Sequence, residues 1–349
     1  MNMLADQVDA VIGVDTHKHS HTAAVVDPTS GVIAHLTVPS DAFGAKRILA
    51  FAKLHAPGRR VWAIEGTGSF GAGLTTCLLE QGEWVVEIDR PARAARRNGA
   101  KSDELDAARA AREALAREHL AQPRRRAERE AIRVLLATRH GAVLSRTRAV
   151  TALHALVVNA PEGIRGQLRT LGSDDLLNRC ARLRTSPTQS AEHRATVTAL
   201  RSTARRALAC EAEAADLESA LEVLVTAAAP GLLAERGVGV ISAAAILNAW
   251  SHPGRLRSEA AFAALAGVAP IPASSGQTVR HRLNRSGDRQ LNRALHTIVL
   301  SRLMHDAETR AYASRRSSEG RTPREIKRCL KRHLARRLFK LLERLPMAA

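Results

Sequence analysis

The order of its apolar runs constrains this chain more than any other feature. Residues 9–38 read as three β-strands in succession: AVIGVD, then HTAAVVD, then VIAHLTV after the turn residues DPTSG. Ala42–Leu54 has the apolar spacing of a helix, and RVWAIEG is a fourth strand. FGAGLTTCLLEQG is a helix closed by Gly82, and EWVVEID is a fifth strand. A further helix is predicted over KSDELDAARAA.

The order β-β-β-α-β-α-β-α is that of the α/β ribonuclease H-like fold. In that fold the first and fourth strands lie side by side, so Asp15 and Glu65, which end those strands, are expected to be neighbours. A helix after the fifth strand can bring Asp103 and Asp106 to the same edge, because residues three apart share a helix face. Carboxylates that converge in this way can hold Mg²⁺ or Mn²⁺ against a phosphodiester. Any one of them alone reads as a turn cap or a solvated first-turn helix residue. Four at matching element ends predict a metal site. His17, His19 and His21 alternate after Asp15 and would share a strand face, as ligands do. Histidines so placed are more often polar surface positions or neighbours of a substrate.

Charge divides the chain. Residues 1–120 hold 14 basic and 15 acidic residues, and residues 121–349 hold 39 and 19, so the second part carries the whole excess of +19. Such a field favours a polyanion partner. With 5 Phe, 3 Trp and 1 Tyr, a base-stacking platform on a sheet is not expected, and Arg–phosphate contacts should dominate. Cys77, Cys180, Cys210 and Cys329 form no C-x-x-C pair, which supports neither a zinc site nor a disulfide framework and fits a reducing cytosol. Asp6 and Asp9 interrupt any signal-peptide pattern, and no apolar run approaches membrane-spanning length, so a cytoplasmic, nucleoid-associated protein with no membrane partner is expected.

Residues 127–160 read as one long helix and residues 191–228 as a second, with Pro161, Gly163, Gly166 and Pro187 marking a break between them. Leu136, Val143, Val150 and Val157 repeat every seven residues, but the second seam (Ile132, Arg139, Arg146, Leu153) is half polar, a weak coiled-coil signal. A helical hairpin or dimerisation arm is predicted. From Pro230 onward the chain is basic and helical. GVGVISAAAIL (Gly237–Leu247) has the look of half a helix–hairpin–helix, and equally of a plain helix start. The stretch Gly267–Leu295 combines a Pro-rich loop, the pair Ser274–Ser275 before Gly276, and Arg280, Arg282, Arg285, Arg289 and Arg293. A serine hydroxyl close to arginines and metal-holding carboxylates could attack a phosphodiester, although Ser-Ser-Gly alone is usually a turn. The last helix has Ile326, Leu330, Leu334, Leu338, Leu341 and Leu345 on one stripe among ten basic residues, which suits phosphates better than lipid. The expected domains are 1–122, 123–229 and 230–349.

GVDTHK, IEGTGSFG and KSDELDA in the front, with GVAP…SSG…NRSGDRQL in the back, resemble the DEDD transposases of bacterial insertion sequences. The resemblance covers nearly the whole chain. It implies a RuvC-like domain joined through a helical, coiled-coil segment to a mainly α transposase domain. It implies that Asp15, Glu65, Asp103 and Asp106 are the metal ligands and Ser275 the nucleophile, with Lys101 and the five arginines on nucleic acid. It also implies element and target DNA as substrates, a guide (bridge) RNA, and a homo-oligomer, dimer or tetramer, across which carboxylates and serine meet. Here Ile271, Pro272 and Ala273 stand where the family often has Arg or Gln, and Gln277 replaces a second glycine. A metal-dependent nuclease using water is the competing enzyme reading. A sugar-kinase or actin-like ATPase would need more Gly-rich phosphate loops than GTGSFG. A non-catalytic nucleic-acid-binding protein would tolerate loss of the carboxylates.

Overall fold

Strands β1 (Ala10–Thr16) and β4 (Arg60–Glu65) are buried along almost their whole length, as their unbroken apolar runs require of strands covered on both faces. In this computed structural model, which describes residues 4–29, 31–88, 102–117, 120–123, 127–273 and 281–345, they lie at the centre of a five-stranded sheet. The sheet order is β3-β2-β1-β4-β5, with β2 at Ser20–Asp27, β3 at Gly31–Pro39 and β5 at Val85–Ile88. β1, β2 and β3 pair antiparallel, and β4 and β5 run parallel to β1. The connection from β3 to β4 is α1 (Ala42–His55), capped where Asp41 accepts a hydrogen bond from Gly44 N at 2.7 Å. α2 (Ala72–Glu80) links β4 to β5.

Alternation along the strands sorts their side chains between two cores. Ile12, Val14, Trp62 and Ile64 pack with Ile48 and Ala52 of α1 and Leu74 and Leu78 of α2. Val11, Val61, Ala63 and Val86 pack with Ala107, Ala108, Ala111 and Ala114 of α3 (Asp103–Ala116). Asp15 and Glu65 follow the parity of Val11 and Val61, so they belong to the α3 face. Helices on both faces of a mixed sheet fit a ribonuclease H-like domain.

Beyond it the chain is mainly helical: α4 Ala127–Val158, α5 Glu162–Leu168, α6 Ser173–Ala181, α7 Ala191–Ala228, α8 Pro230–Leu233, α9 Val240–Trp250, α10 Glu259–Leu265, α11 Arg289–His305, α12 Ala307–Ser318 and α13 Pro323–Leu342. A two-stranded ribbon, β6 (Ile271–Pro272) with β7 (His281–Arg282), interrupts them. Contacts group the chain into two compact units, one of residues 1–129, 250–287 and 335–349 and one of residues 130–249 and 288–334.

In the first unit, Phe262 of α10 stacks on Phe339 of α13, with ring centroids 5.9 Å apart. Trp250 Nε1 donates to Glu343 at 2.7 Å, and Arg129 lies 4.9 Å over the Trp250 ring. In the second unit, Arg139 pairs with Glu218 at 2.7 Å and Arg146 with Glu211 at 3.2 Å. A step forward along α4 is thus a step back along α7, and the helices are antiparallel. Along α7, Val197, Leu200, Ala204, Ala207, Ala214, Leu221 and Val225 are buried, and Glu211 and Glu218 fill the gaps in their three–four spacing. The half-polar seam of α4 therefore meets carboxylates. The stretch marked as a break holds α5 and α6, whose Ile164, Leu168, Leu176 and Leu177 pack against Leu153 and Leu200.

Candidate active site

Asp15 is the next-to-last residue of β1, with its side chain 13% exposed. Val14 pairs with Ile64 in parallel register, so Glu65 is the next position on the neighbouring strand. Thr16 ties these strand ends together, donating from Oγ1 to the Glu65 carbonyl at 2.8 Å. α3 starts where Ser102 Oγ accepts from Leu105 N at 3.3 Å, which places Asp103, Glu104 and Asp106 in its first turn. Acidic residues suit that end of a helix on dipole grounds alone.

Placement beside Asp15 goes beyond that requirement. His17 Nε2 lies 3.2 Å from Asp15 Oδ2 and 3.5 Å from Asp103 Oδ1. One ligand atom from each of Asp15, His17 and Asp103 falls within 4.8 Å of the others. Burial holds the Asp15 carboxyl above its ordinary value; His17 opposes that shift, and the charges of Asp103 and Asp106 add to it. Asp106 also accepts a hydrogen bond from Arg109 at 2.6 Å. The structure thus brings Asp15, His17 and Asp103 together on the face to which Glu65 belongs, with Asp106 in the same first turn of α3 but outside that close group.

In the second half, the motif NRSGD is a built turn. Asn284 donates from its amide to the Ala264 carbonyl at 2.9 Å and accepts from Ser286 N at 3.0 Å. Gly287 lies against the Gly267 backbone, where a Cβ would come within 2.3 Å of Gly267 N. Asp288 caps α11 by accepting from Leu291 N at 2.9 Å. Arg282 and Arg285 are exposed and line a groove of about 560 Å³ with Ile271, Leu283 and Ser286. Arg289 and Arg293 are exposed on the first turns of α11. Among the described residues, none of these four arginines pairs with a carboxylate. Lys101, Ser274, Ser275 and Arg280 lie outside the described residues.

Two transposase families match this chain. The DEDD family of IS110 type, described as Transposase, matches residues 12–160. The Transposase IS116/IS110/IS902 family matches residues 232–314. The chain is an IS110-type DEDD transposase. The enzyme is a DNA transposase/recombinase, and no curated protein matches it.

The donor set of the transposase suits a divalent cation. Asp15, Asp103 and Asp106 crowd negative charge into a half-buried corner, and their mutual repulsion is what a cation would relieve. Sequence reasoning left two contributors without a role. Of the three alternating histidines, His17 reaches the carboxylates, whereas His21 is buried beside Thr16 on the opposite face of the sheet. Thr16, which locks the ends of β1 and β4, carries no signal beyond its place after Asp15. Among the described residues, no helix is long and apolar enough to cross a membrane.

Proposed function

We propose that this transposase cuts and rejoins insertion-sequence DNA, with Mg²⁺ or Mn²⁺ held by Asp15, Glu65, Asp103 and Asp106 and with Ser275 as the attacking group. The observation that carries the reading is the meeting of Asp15 with Asp103 at the end of β1, one strand from Glu65 and with Asp106 in the same helical turn as Asp103. Bound there, the cation would supply electrostatic stabilisation to a phosphoryl group in transfer. The hydroxyl oxygen of Ser275 would bond to phosphorus as the bond to the leaving sugar oxygen breaks. The phosphoseryl link would conserve the energy of the broken bond for rejoining. Arg282, Arg285, Arg289 and Arg293, together with Lys101 and Arg280, would neutralise nucleic-acid phosphates. The partners in this reading are element and target DNA, a guide RNA that selects the site, and further copies of the chain in a dimer or tetramer. The enzyme would act on nucleoid DNA in the cytoplasm.

A nicked suicide DNA substrate with the guide RNA tests this on a denaturing gel. Wild type should give a covalent protein–DNA adduct mapping to Ser275, and Ser275→Ala should give none while still binding DNA. Cleavage at the wild-type rate by Ser275→Ala would instead assign the attack to water, the chemistry of a metal-dependent nuclease. Undiminished cleavage by Asp15→Asn would remove the carboxylate site from the reaction.

A further inference from the structure

We infer that His17 is a nitrogen ligand of the catalytic cation, so that the site favours Mn²⁺ over Mg²⁺ more strongly than four carboxylates would. This rests on the reading that Asp15 and Asp103 hold that cation. His17 is the first residue after β1, and its backbone is fixed by donating from N to the Ser20 carbonyl at 2.9 Å. The turn aims Nε2 between a carboxylate on a strand and a carboxylate on a helix, 3.2 Å from one and 3.5 Å from the other. Around an octahedral ion with bonds of about 2.1 Å, adjacent ligand atoms lie about 3.0 Å apart and opposite ones about 4.2 Å. The three donors, all within 4.8 Å of one another, are at the spacing of a shared ion after a small inward movement.

The imidazole is 47% exposed, so it can turn toward an ion without repacking a core. The neighbouring histidines do not compete for this role. Alternation puts His21 on the α1–α2 face, opposite Asp15, and His19 lies further along the turn with its side chain exposed. Oxygen ligands with water suit Mg²⁺, whereas a nitrogen donor is accepted more readily by first-row transition ions, and Mn²⁺ is the member of that series that also takes carboxylate and water ligands. A mixed set of two or more carboxylates and one imidazole should therefore separate Mn²⁺ from Mg²⁺.

The test uses the full chain titrated with Mn²⁺ alone. Loss of the free-ion electron paramagnetic resonance signal reports binding, and pulsed measurements report nitrogen coupling to the bound ion. Wild type should show ¹⁴N coupling. His17→Ala and His17→Asn should lose it, with Mn²⁺ affinity about tenfold weaker or more and Mg²⁺ affinity, measured by competition, changed less than threefold. His19→Ala should keep the coupling. Mn²⁺ binding that is lost in Asp15→Asn but shows no nitrogen coupling in wild type would overturn the role of His17 and leave the carboxylate site standing. Coupling that persists in His17→Ala would give the nitrogen to another residue. Mn²⁺ binding unchanged in Asp15→Asn would overturn the carboxylate reading, and this inference with it.

Discussion

The carbonyl oxygen of Ala107 occupies the space where a side chain on Gly13 would begin: a Cβ there would lie 1.9 Å from it and 2.7 Å from Ala111 N. α3 therefore rests directly on the backbone of β1, at the residue two before Asp15. This is also why α3 presents alanines at 107, 108, 110, 111 and 114 to the sheet. The close approach fixes the height of α3 over β1, and with it the distance from Asp103 and Asp106 to Asp15.

Gly13→Ala should accordingly damage the site through the fold. The added methyl meets helix backbone, which cannot swing aside as a side chain can, so α3 must lift or shift. Overpacking of this kind should cost about 1–3 kcal/mol or more. A displacement near an ångström should lower strand transfer about 100-fold. Thermal unfolding and a recombination assay below the variant's melting temperature would check both effects. Activity at the wild-type level would mean that the carboxylates do not depend on this contact.

Asp15→Asn should raise stability while removing activity. Burial disfavours the Asp15 carboxylate, and Asp103 and Asp106 disfavour it further, so the folded protein bears a cost that an amide of the same shape escapes. With chelator present, the variant should be more stable by about 0.5–2 kcal/mol, the usual gain from relieving a strained functional site. Adding Mn²⁺ or Mg²⁺ should raise the melting temperature of wild type by mass action and leave the variant almost unmoved. Strand transfer should fall by orders of magnitude. Equal melting temperatures in chelator would remove the argument from charge crowding.

How much of this was legible in the sequence depends on whether the signal was local. The strands and α1, α2 and α3 are marked by their own periodicity, with Gly82 closing α2, and strand order alone makes Asp15 and Glu65 neighbours, whereas their common face needs the register of β1 with β4. The caps of α1 and α3, Asp41 and Ser102, emerge only with the structure, although their residue types are common at helix starts. By contrast, Gly13 looks like any small residue in an apolar strand, because the helix that needs it lies about ninety positions away. His17 could not be chosen over His19 and His21 until the end of β1 was known to within a residue. Arg139 and Arg146 weakened the coiled-coil signal because their partners, Glu218 and Glu211, sit on a helix read separately. The β6–β7 ribbon is two residues per strand, too short to show a period.

Glu83 anchors the end of the sheet away from the site, where stability can be tested apart from chemistry. Its carboxylate accepts from Arg60 Nε at 2.8 Å and from Trp62 Nε1 at 2.8 Å, and it pairs with Arg60 Nη2 as well. Burial pushes the Glu83 carboxyl up, but the Arg60 and Trp62 hydrogen bonds outweigh it and hold the group below its ordinary value. A depressed folded value means that the stabilisation is complete above the unfolded value near 4.5 and is lost as the pH falls through the folded one. Glu83→Gln should cost about 1–3 kcal/mol at neutral pH. It should also flatten the acid limb of the stability curve below pH 4.5, with strand transfer retained at permissive temperature. An acid limb identical to wild type would show that other carboxylates control it.

The exposed arginines of the second half should reveal themselves through salt. Arg282 in β7, Arg285 shortly after it, and Arg289 and Arg293 at the start of α11 have no carboxylate partner among the described residues, so their charge is available to phosphates. Arg165 and Arg316 are equally basic, but each is paired with a carboxylate on its own helix or at its end, Glu162 and Glu319. Each phosphate neutralised contributes about −0.9 to the slope of log K against log salt for duplex DNA. Replacing any one of the four free arginines with Ala should therefore make the slope shallower by about 0.9, whatever the DNA sequence. Arg165→Ala and Arg316→Ala should leave it within error. Filter binding from 50 to 300 mM salt, on element DNA and on an unrelated duplex, separates the two groups. Slopes unchanged in all four variants would move the phosphate contacts elsewhere on the basic surface, and equal losses in the paired controls would show that net charge alone, and not these positions, sets the affinity.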